Sequence, residues 1–156
     1  MNNQDFSNEK CAHDAKAGEE GVGSTDHLGY VWFKNDWGSD LYSVTVRHRR
    51  SNDASKQEQI TYDNVRSGET MGPLQITYTT GAGSPFDYWW IKFSVMNGAT
   101  FSIKNNFYCY ISSSDDGKVT LRLDGADKKL YVSFSDSSGC TVGIDQVPGD
   151  AEDETA

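Results

Sequence analysis

A chain of 156 residues is long enough to bury one sizeable core and too short for two ordinary domains, and 14 Lys+Arg against 23 Asp+Glu give it a formal net charge of -9. That field repels phosphate backbones and anionic bilayers, so nucleic acid drops out as a partner while glycans, zwitterionic lipid headgroups and proteins stay open, for a monomer or a dimer. No window is apolar for long enough to cross a bilayer as a helix. Met1-Asn2-Asn3-Gln4-Asp5-Phe6 has neither the basic nor the apolar region of a signal peptide, so the expected compartment is the cytoplasm, although a secreted mature form with an added Met would start the same way.

Residues 1–26 mix Asn, Asp, Glu, Lys, Gly and Ser without a sustained period and are expected to be a disordered arm. From there the chain is a series of short runs rich in Tyr, Val, Ile, Phe and Trp, separated by Gly, Asn, Asp and Ser clusters. Strands are expected at 29–34, 41–50, 58–63, 74–79, 87–96, 99–104, 106–112, 118–123, 129–135 and 140–144. Asn97-Gly98 supplies the positive φ values of a two-residue hairpin turn. Pro73 and Pro85 lie at run edges, where a missing N–H costs a sheet nothing. Pro148 ends the domain, and the acidic segment 148–156 is expected to be a disordered tail that keeps the protein soluble. Ten short strands at this spacing predict an all-β fold, an antiparallel β-sandwich over residues 27–147.

Period-two alternation assigns the core: Val31, Phe33, Val44, Val46, Ile60, Tyr62, Leu74, Ile76, Trp89, Ile91, Phe93, Val95, Phe101, Ile103, Phe107, Cys109, Ile111, Val119, Leu121, Leu123, Leu130, Val132 and Phe134. The run from Asp87 to Val95 is the most informative. With Trp89, Ile91 and Phe93 inward, it turns Tyr88, Trp90 and Lys92 outward, and Tyr108 and Tyr110 alternate outward in the same way. Were the two strands to share a sheet, these five residues would form one aromatic patch with an ammonium beside it, suited to stacking on a sugar ring or caging a choline-type cation. The competing readings are that this side is covered by the arm or by a second molecule, or that Trp90 and not Trp89 is the core residue.

If successive strands run antiparallel, alternate loops gather at one end, which would bring together Asn35, Asp36, Asp40, Asn97, Asp115, Asp116 and Asp136. Carboxylates from several loops are how a sandwich builds a calcium site, so Asp36, Asp40, Asp115, Asp116 and Asp136 are the candidate ligands of a calcium-dependent membrane-docking domain. Against this, Asp and Asn are ordinary turn residues that bond their own backbone. Apart from calcium, no cofactor is expected.

Cys11, Cys109 and Cys140 fit no metal spacing, and Cys109 and Cys140 are either buried thiols or a disulfide between neighbouring strands. His13, His27 and His48 are isolated. A cysteine nucleophile with His48 as base has nothing to bring it together, and Arg47-His48-Arg49-Arg50 reads as a basic strand end. No catalytic signature is present, so a non-enzymatic protein is expected.

Met71-Gly72-Pro73-Leu74-Gln75-Ile76-Thr77-Tyr78-Thr79-Thr80-Gly81, Asp87-Tyr88-Trp89-Trp90 and Asp115-Asp116-Gly117-Lys118-Val119-Thr120-Leu121 resemble a family of β-sandwich proteins up-regulated in long-lived insulin-receptor mutant nematodes and found also in fungi and bacteria. The resemblance spans roughly residues 29–144. It implies a sandwich fold and no established activity, and Cys109 with Ser138-Gly139-Cys140-Thr141 resembles a cysteine pair of that family. A weaker likeness, limited to Asp87-Tyr88-Trp89-Trp90, is to actinoporin- and aegerolysin-type cytolysins. Residues 1–26 do not supply the amphipathic helix of an actinoporin-like pore, so what that likeness implies is lipid binding without a pore. The expected function is a binding module whose aromatic strand face recognises a glycan or a zwitterionic lipid headgroup. The alternative is an interaction or stress-response protein using that face as an interface.

Overall fold

The computed structural model describes residues 24–149, which form two packed β-sheets. In chain order the strands are β1 (Ser24–Asp36), β2 (Leu41–Arg50), β3 (Gln57–Val65), β4 (Thr70–Gly81), β5 (Asp87–Val95), β6 (Thr100–Ser102), β7 (Phe107–Tyr108), β8 (Lys118–Asp124), β9 (Lys129–Ser133), β10 (Cys140–Gly143) and β11 (Asp145–Val147). One sheet has the order β10-β9-β8-β1-β4 and the other β11-β6-β5-β2-β3, with β7 also pairing β5. The arm begins earlier than expected to be ordered: Ser24, Thr25 and Asp26 already pair with Gly81, Thr80 and Thr79. Residues 1–23 and 150–156, assigned from sequence to disordered tails, lie outside the described residues, as does Cys11.

The sandwich follows from alternation. Val31, Phe33, Ile76, Val119, Leu121, Leu123, Leu130 and Val132 from one sheet meet Val44, Val46, Trp89, Ile91 and Phe93 from the other, all at most 2% exposed. Each such side chain contributes roughly 1.5–3 kcal/mol through removal from water. Ile60, Tyr62, Leu74, Val95, Phe101 and Phe134, also assigned inward, are only partly buried against this cluster, because they lie on outer strands, near strand ends or in a loop. Leu41, Val65, Tyr78 and Ile144 are core residues that the alternation did not single out.

Two differences from the expected topology matter for function. First, β1 and β8 run parallel, Tyr30 opposite Lys118 through Asp36 opposite Asp124, while the other strand pairs among the described residues are antiparallel. Second, the runs 99–104 and 106–112 shrink to β6 and β7, which share one side of β5 in succession. Ser102 pairs with Lys92 and Phe107 with Trp89, so five steps of chain span three steps of β5. The excess loops out at Asn105-Asn106, with Asn106 at φ 57.

The end of the sandwich that carries Asp36 and Asp124 is closed by Trp37. Its ring meets Phe93 at 4.9 Å and Phe101 at 5.0 Å, centroid to centroid, both on the opposite sheet. Asn35, fully buried, holds the adjoining loop: its amide donates to the carbonyls of Ser39, Val65 and Arg66, and its Oδ1 accepts from Trp37 N–H.

Candidate functional site

On β5 the alternation holds for orientation and fails for exposure. Trp89, Ile91 and Phe93 lie opposite His48, Val46 and Val44 of β2 on the inner face, and Tyr88, Trp90 and Lys92 lie opposite Arg49, Arg47 and Thr45 on the outer face. Trp90 nevertheless is 2% exposed. The Arg47 guanidinium stands 4.7 Å from its ring centroid, and Arg47 Nη2 donates to Asn105 Oδ1 in the bulge at 2.8 Å. Trp90 thus becomes a buried stacking partner, not an exposed ligand contact, because the bulge brings a polar side chain back over the sheet to hold the arginine. Lys92 is half-buried on the same face, between Thr45 and Ser102.

The phenols do come together. Tyr88 is paired directly with Tyr108 across β5 and β7, their ring centroids 5.5 Å apart, and Tyr108 lies 5.9 Å from Tyr110. Phe86, which strand alternation had no reason to include because it precedes β5, completes the group, 5.3 Å from Tyr108 and 5.2 Å from Tyr110. Such offset and edge contacts suit aromatic quadrupoles and are worth about 0.5–1.5 kcal/mol each beyond area. Tyr110, expected outward, is 8% exposed and backs the cluster. Phe86 and Tyr88 in turn line an open groove of about 460 Å³ whose other walls are Ser51, Gly83, Ser84 and Pro85. Ser51 and Phe86 of this lining are fixed to each other, Ser51 N–H donating to the Phe86 carbonyl at 2.7 Å.

Beneath this shelf, within the stretch expected to be a basic strand end, lies a charged group. His48 is fully buried; its Nε2 is 2.6 Å from Asp87 Oδ1 and its Nδ1 2.7 Å from Glu58 Oε1. Burial opposes the charged imidazolium, but hydrogen bonds to Asp87 and then Glu58, with the charges of both, outweigh it and raise the His48 pKa to about 9. The remaining carboxylate oxygens are also engaged. Asp87 Oδ2 accepts from Ile111 N–H at 2.8 Å, and Glu58 Oε2 accepts from Thr77 N–H at 2.9 Å. Glu58, His48 and Asp87 form a hydrogen-bonded array, buried at His48 and Asp87 and partly exposed at Glu58, that ties three strands of one sheet to β4 of the other. Alternation was the signal that could have found it, because 44, 46 and 48 share one face of β2, and 87, 89 and 91 one face of β5.

Cys109 and Cys140 form a disulfide, with Cα atoms 6.2 Å apart. It joins the segment after β7 to β10 on the other sheet. Its closed loop of 31 residues' separation corresponds to about 3–4 kcal/mol of stability in the chain-entropy account.

The candidate calcium ligands do not converge. Asp36 and Asp40 belong to the Trp37 end, whereas Asp115, Asp116 and Asp136 lie at the other end, where β8 starts. Because β8 is parallel to β1, the loop before it cannot meet the loop after β1. The carboxylates of Asp36, Asp40 and Asp115 already serve local purposes. Asp115, 8% exposed, accepts from Asp136 N–H, Ser137 N–H, Ser137 Oγ–H and Ser112 N–H. Asp40 accepts from Ser67 N–H, and Asp36 pairs with Lys34 and Arg122. No cluster of three or more His, Cys, Asp or Glu arranged to hold a metal ion occurs among the described residues.

Neither a protein-family model nor a curated protein matches the chain. The site itself is a row of aromatic rings beside a groove that also carries hydroxyl and backbone groups, and no helix among the described residues is long and apolar enough to cross a membrane.

Proposed function

We propose that this chain is a non-enzymatic binding module that holds a neutral sugar ring of a glycan against Tyr88 and Phe86. The observation that carries the reading is the continuity of the aromatic cluster with the groove. A pyranose presents an apolar C–H face for stacking and a rim of hydroxyls for hydrogen bonding, and the groove is lined by Phe86 and Tyr88 together with Ser51, Ser84 and Gly83. Sites of this kind are concave and preformed, and the buried bonds of Asp87 supply the preformation. A zwitterionic headgroup would need a partner for its phosphate as well as a cage for its ammonium, and the groove is lined by no cationic side chain. A disulfide persists in oxidising surroundings, so in this reading the protein works there and not in a reducing cytosol.

Tyr88 is half-buried, so its truncation spares the core. Binding to an array of neutral oligosaccharides, followed by calorimetry on the best ligand, should lose about tenfold or more in affinity in Tyr88→Ala, equivalent to about 1.4 kcal/mol or more, with little change in melting temperature. Liposomes of phosphatidylcholine or sphingomyelin provide the second arm. Binding there, with none to oligosaccharides, would replace the glycan by a headgroup. Retention of oligosaccharide affinity in Tyr88→Ala would remove the shelf from the site. A shift of sedimentation mass in that variant would turn the shelf into a subunit interface.

A further inference from the structure

The segment 107–111 carries two of the four rings, Tyr108 and Tyr110, yet only Phe107 and Tyr108 of it are in a strand. The rest is held by other means, all concentrated at Cys109 and its neighbours. Cys109 N–H donates to the Asp87 carbonyl at 3.1 Å, the Cys109 carbonyl accepts from Trp89 Nε1 at 2.7 Å, and Ile111 N–H reaches the Asp87 carboxylate. The covalent member of this set is the bond to Cys140. Cys109 is fully buried, but Cys140 is partly exposed on β10, the edge strand of its sheet. One residue of the bridge is thus accessible from outside, and the other, buried in the core, is the chain link between Tyr108 and Tyr110.

We propose that the Cys109–Cys140 disulfide is a redox latch on the aromatic shelf: closed, it holds Tyr108 and Tyr110 against Phe86 and Tyr88, and its reduction by a dithiol releases the 107–111 segment and weakens ligand binding. The ligand half of this inference rests on the shelf being the binding site. In the opening step a thiolate of the dithiol attacks Cys140 Sγ, a mixed disulfide forms and Cys109 leaves as a thiolate that takes up a proton. The second thiol of the reductant, once deprotonated, attacks its own sulfur in the mixed disulfide, closing the reductant's disulfide and releasing Cys140 as a thiolate that is then protonated. Two electrons pass from the dithiol to the bridge, and two protein thiols result. The consequence is local because the lost tether belongs to a segment with two ladder residues, while β2, β5 and β8 keep theirs.

The test uses the full chain in a Cys11→Ser background, so that the pair supplies the only protein thiols. Hydrogen exchange followed by mass spectrometry compares the oxidised protein, the protein reduced with dithiothreitol and Cys140→Ser, all below the melting temperature of the reduced form. Exchange over 107–111 should accelerate by about tenfold or more on reduction and in Cys140→Ser, while β2 and β8 keep their protection. Affinity for the oligosaccharide selected above should fall with it and return on reoxidation. Unchanged exchange over 107–111 would overturn the latch, and so would an equal acceleration in every strand, which marks a general loss of stability. Release of 107–111 in a protein that binds no oligosaccharide even when oxidised would sink the glycan reading and leave the latch standing.

Discussion

His48 shows how far a single buried residue depends on its neighbours. Alone in the core it would be neutral; between two carboxylates it is a cation to about pH 9. Its folded pKa lies above the unfolded value of 6.5, so the stability it contributes is fully present below pH 6.5 and is lost as pH rises through 9. A shift of this size corresponds to something on the order of 3 kcal/mol. Urea unfolding should therefore show a midpoint that declines between pH 6.5 and 9.5, and His48→Gln should flatten that decline while lowering stability at pH 6. A wild-type midpoint independent of pH over this range would mean that the imidazole is neutral in the folded protein.

Strand β5 is where the sequence was most and least readable. Its period-two alternation gave the inward set correctly, Trp89, Ile91 and Phe93, because the sandwich core imposes one apolar face on a strand. It gave Trp90 the right face and the wrong exposure, because the cover comes from Arg47 and the Asn105 bulge, contacts set by tertiary structure and invisible in any window of the chain. The same limit hid Phe86, which joins the shelf from a loop. Asp87 opens this element, and its carboxylate holds both His48 and Ile111. In Asp87→Asn one amide must present its NH2 to a buried donor, and His48 loses half its counter-charge. The expected cost is about 3–5 kcal/mol, in the range found when one partner of a buried ion pair is removed. Exchange of the Ile111 amide should rise more than the global loss predicts, and equal increases there and in β8 would remove Asp87 from the support of the shelf.

Across the whole molecule the two ends of the sandwich are closed by different devices, and only one of them was foreshadowed in the chain. The shelf end has the disulfide and the array around His48; the other end has Trp37. The short alternating runs and the turn at Asn97-Gly98 are local signals, so the sandwich could be read from them, although the expected two-residue hairpin is a three-residue loop closed by Val95 and Ala99 in which Gly98 alone takes a positive φ. The parallel pairing of β1 with β8 is set by how distant segments meet, and with it fell the expectation that the aspartates share one end. That pairing has a demanding junction. The β8–β9 turn sits on the chain leaving β1, Gly125 N–H donating to the Asp36 carbonyl at 3.0 Å, and a Cβ at Gly125 would stand 1.7 Å from the Trp37 carbonyl oxygen. Backbone on both sides leaves no flexible side chain to yield. Gly125→Ala must then displace the Trp37 loop and lift the indole from Phe93 and Phe101, opening one end of the core. The expected result is a loss of about 2–4 kcal/mol in urea unfolding, of the size of other core disruptions, with a changed tryptophan emission from Trp37. Because the shelf lies at the opposite end, oligosaccharide affinity measured below the lowered melting temperature should be unchanged. A parallel loss of affinity would mean that the two ends are coupled through the sheets, and that the shelf is held by the packing of the whole sandwich and not by Asp87 and the disulfide beside it.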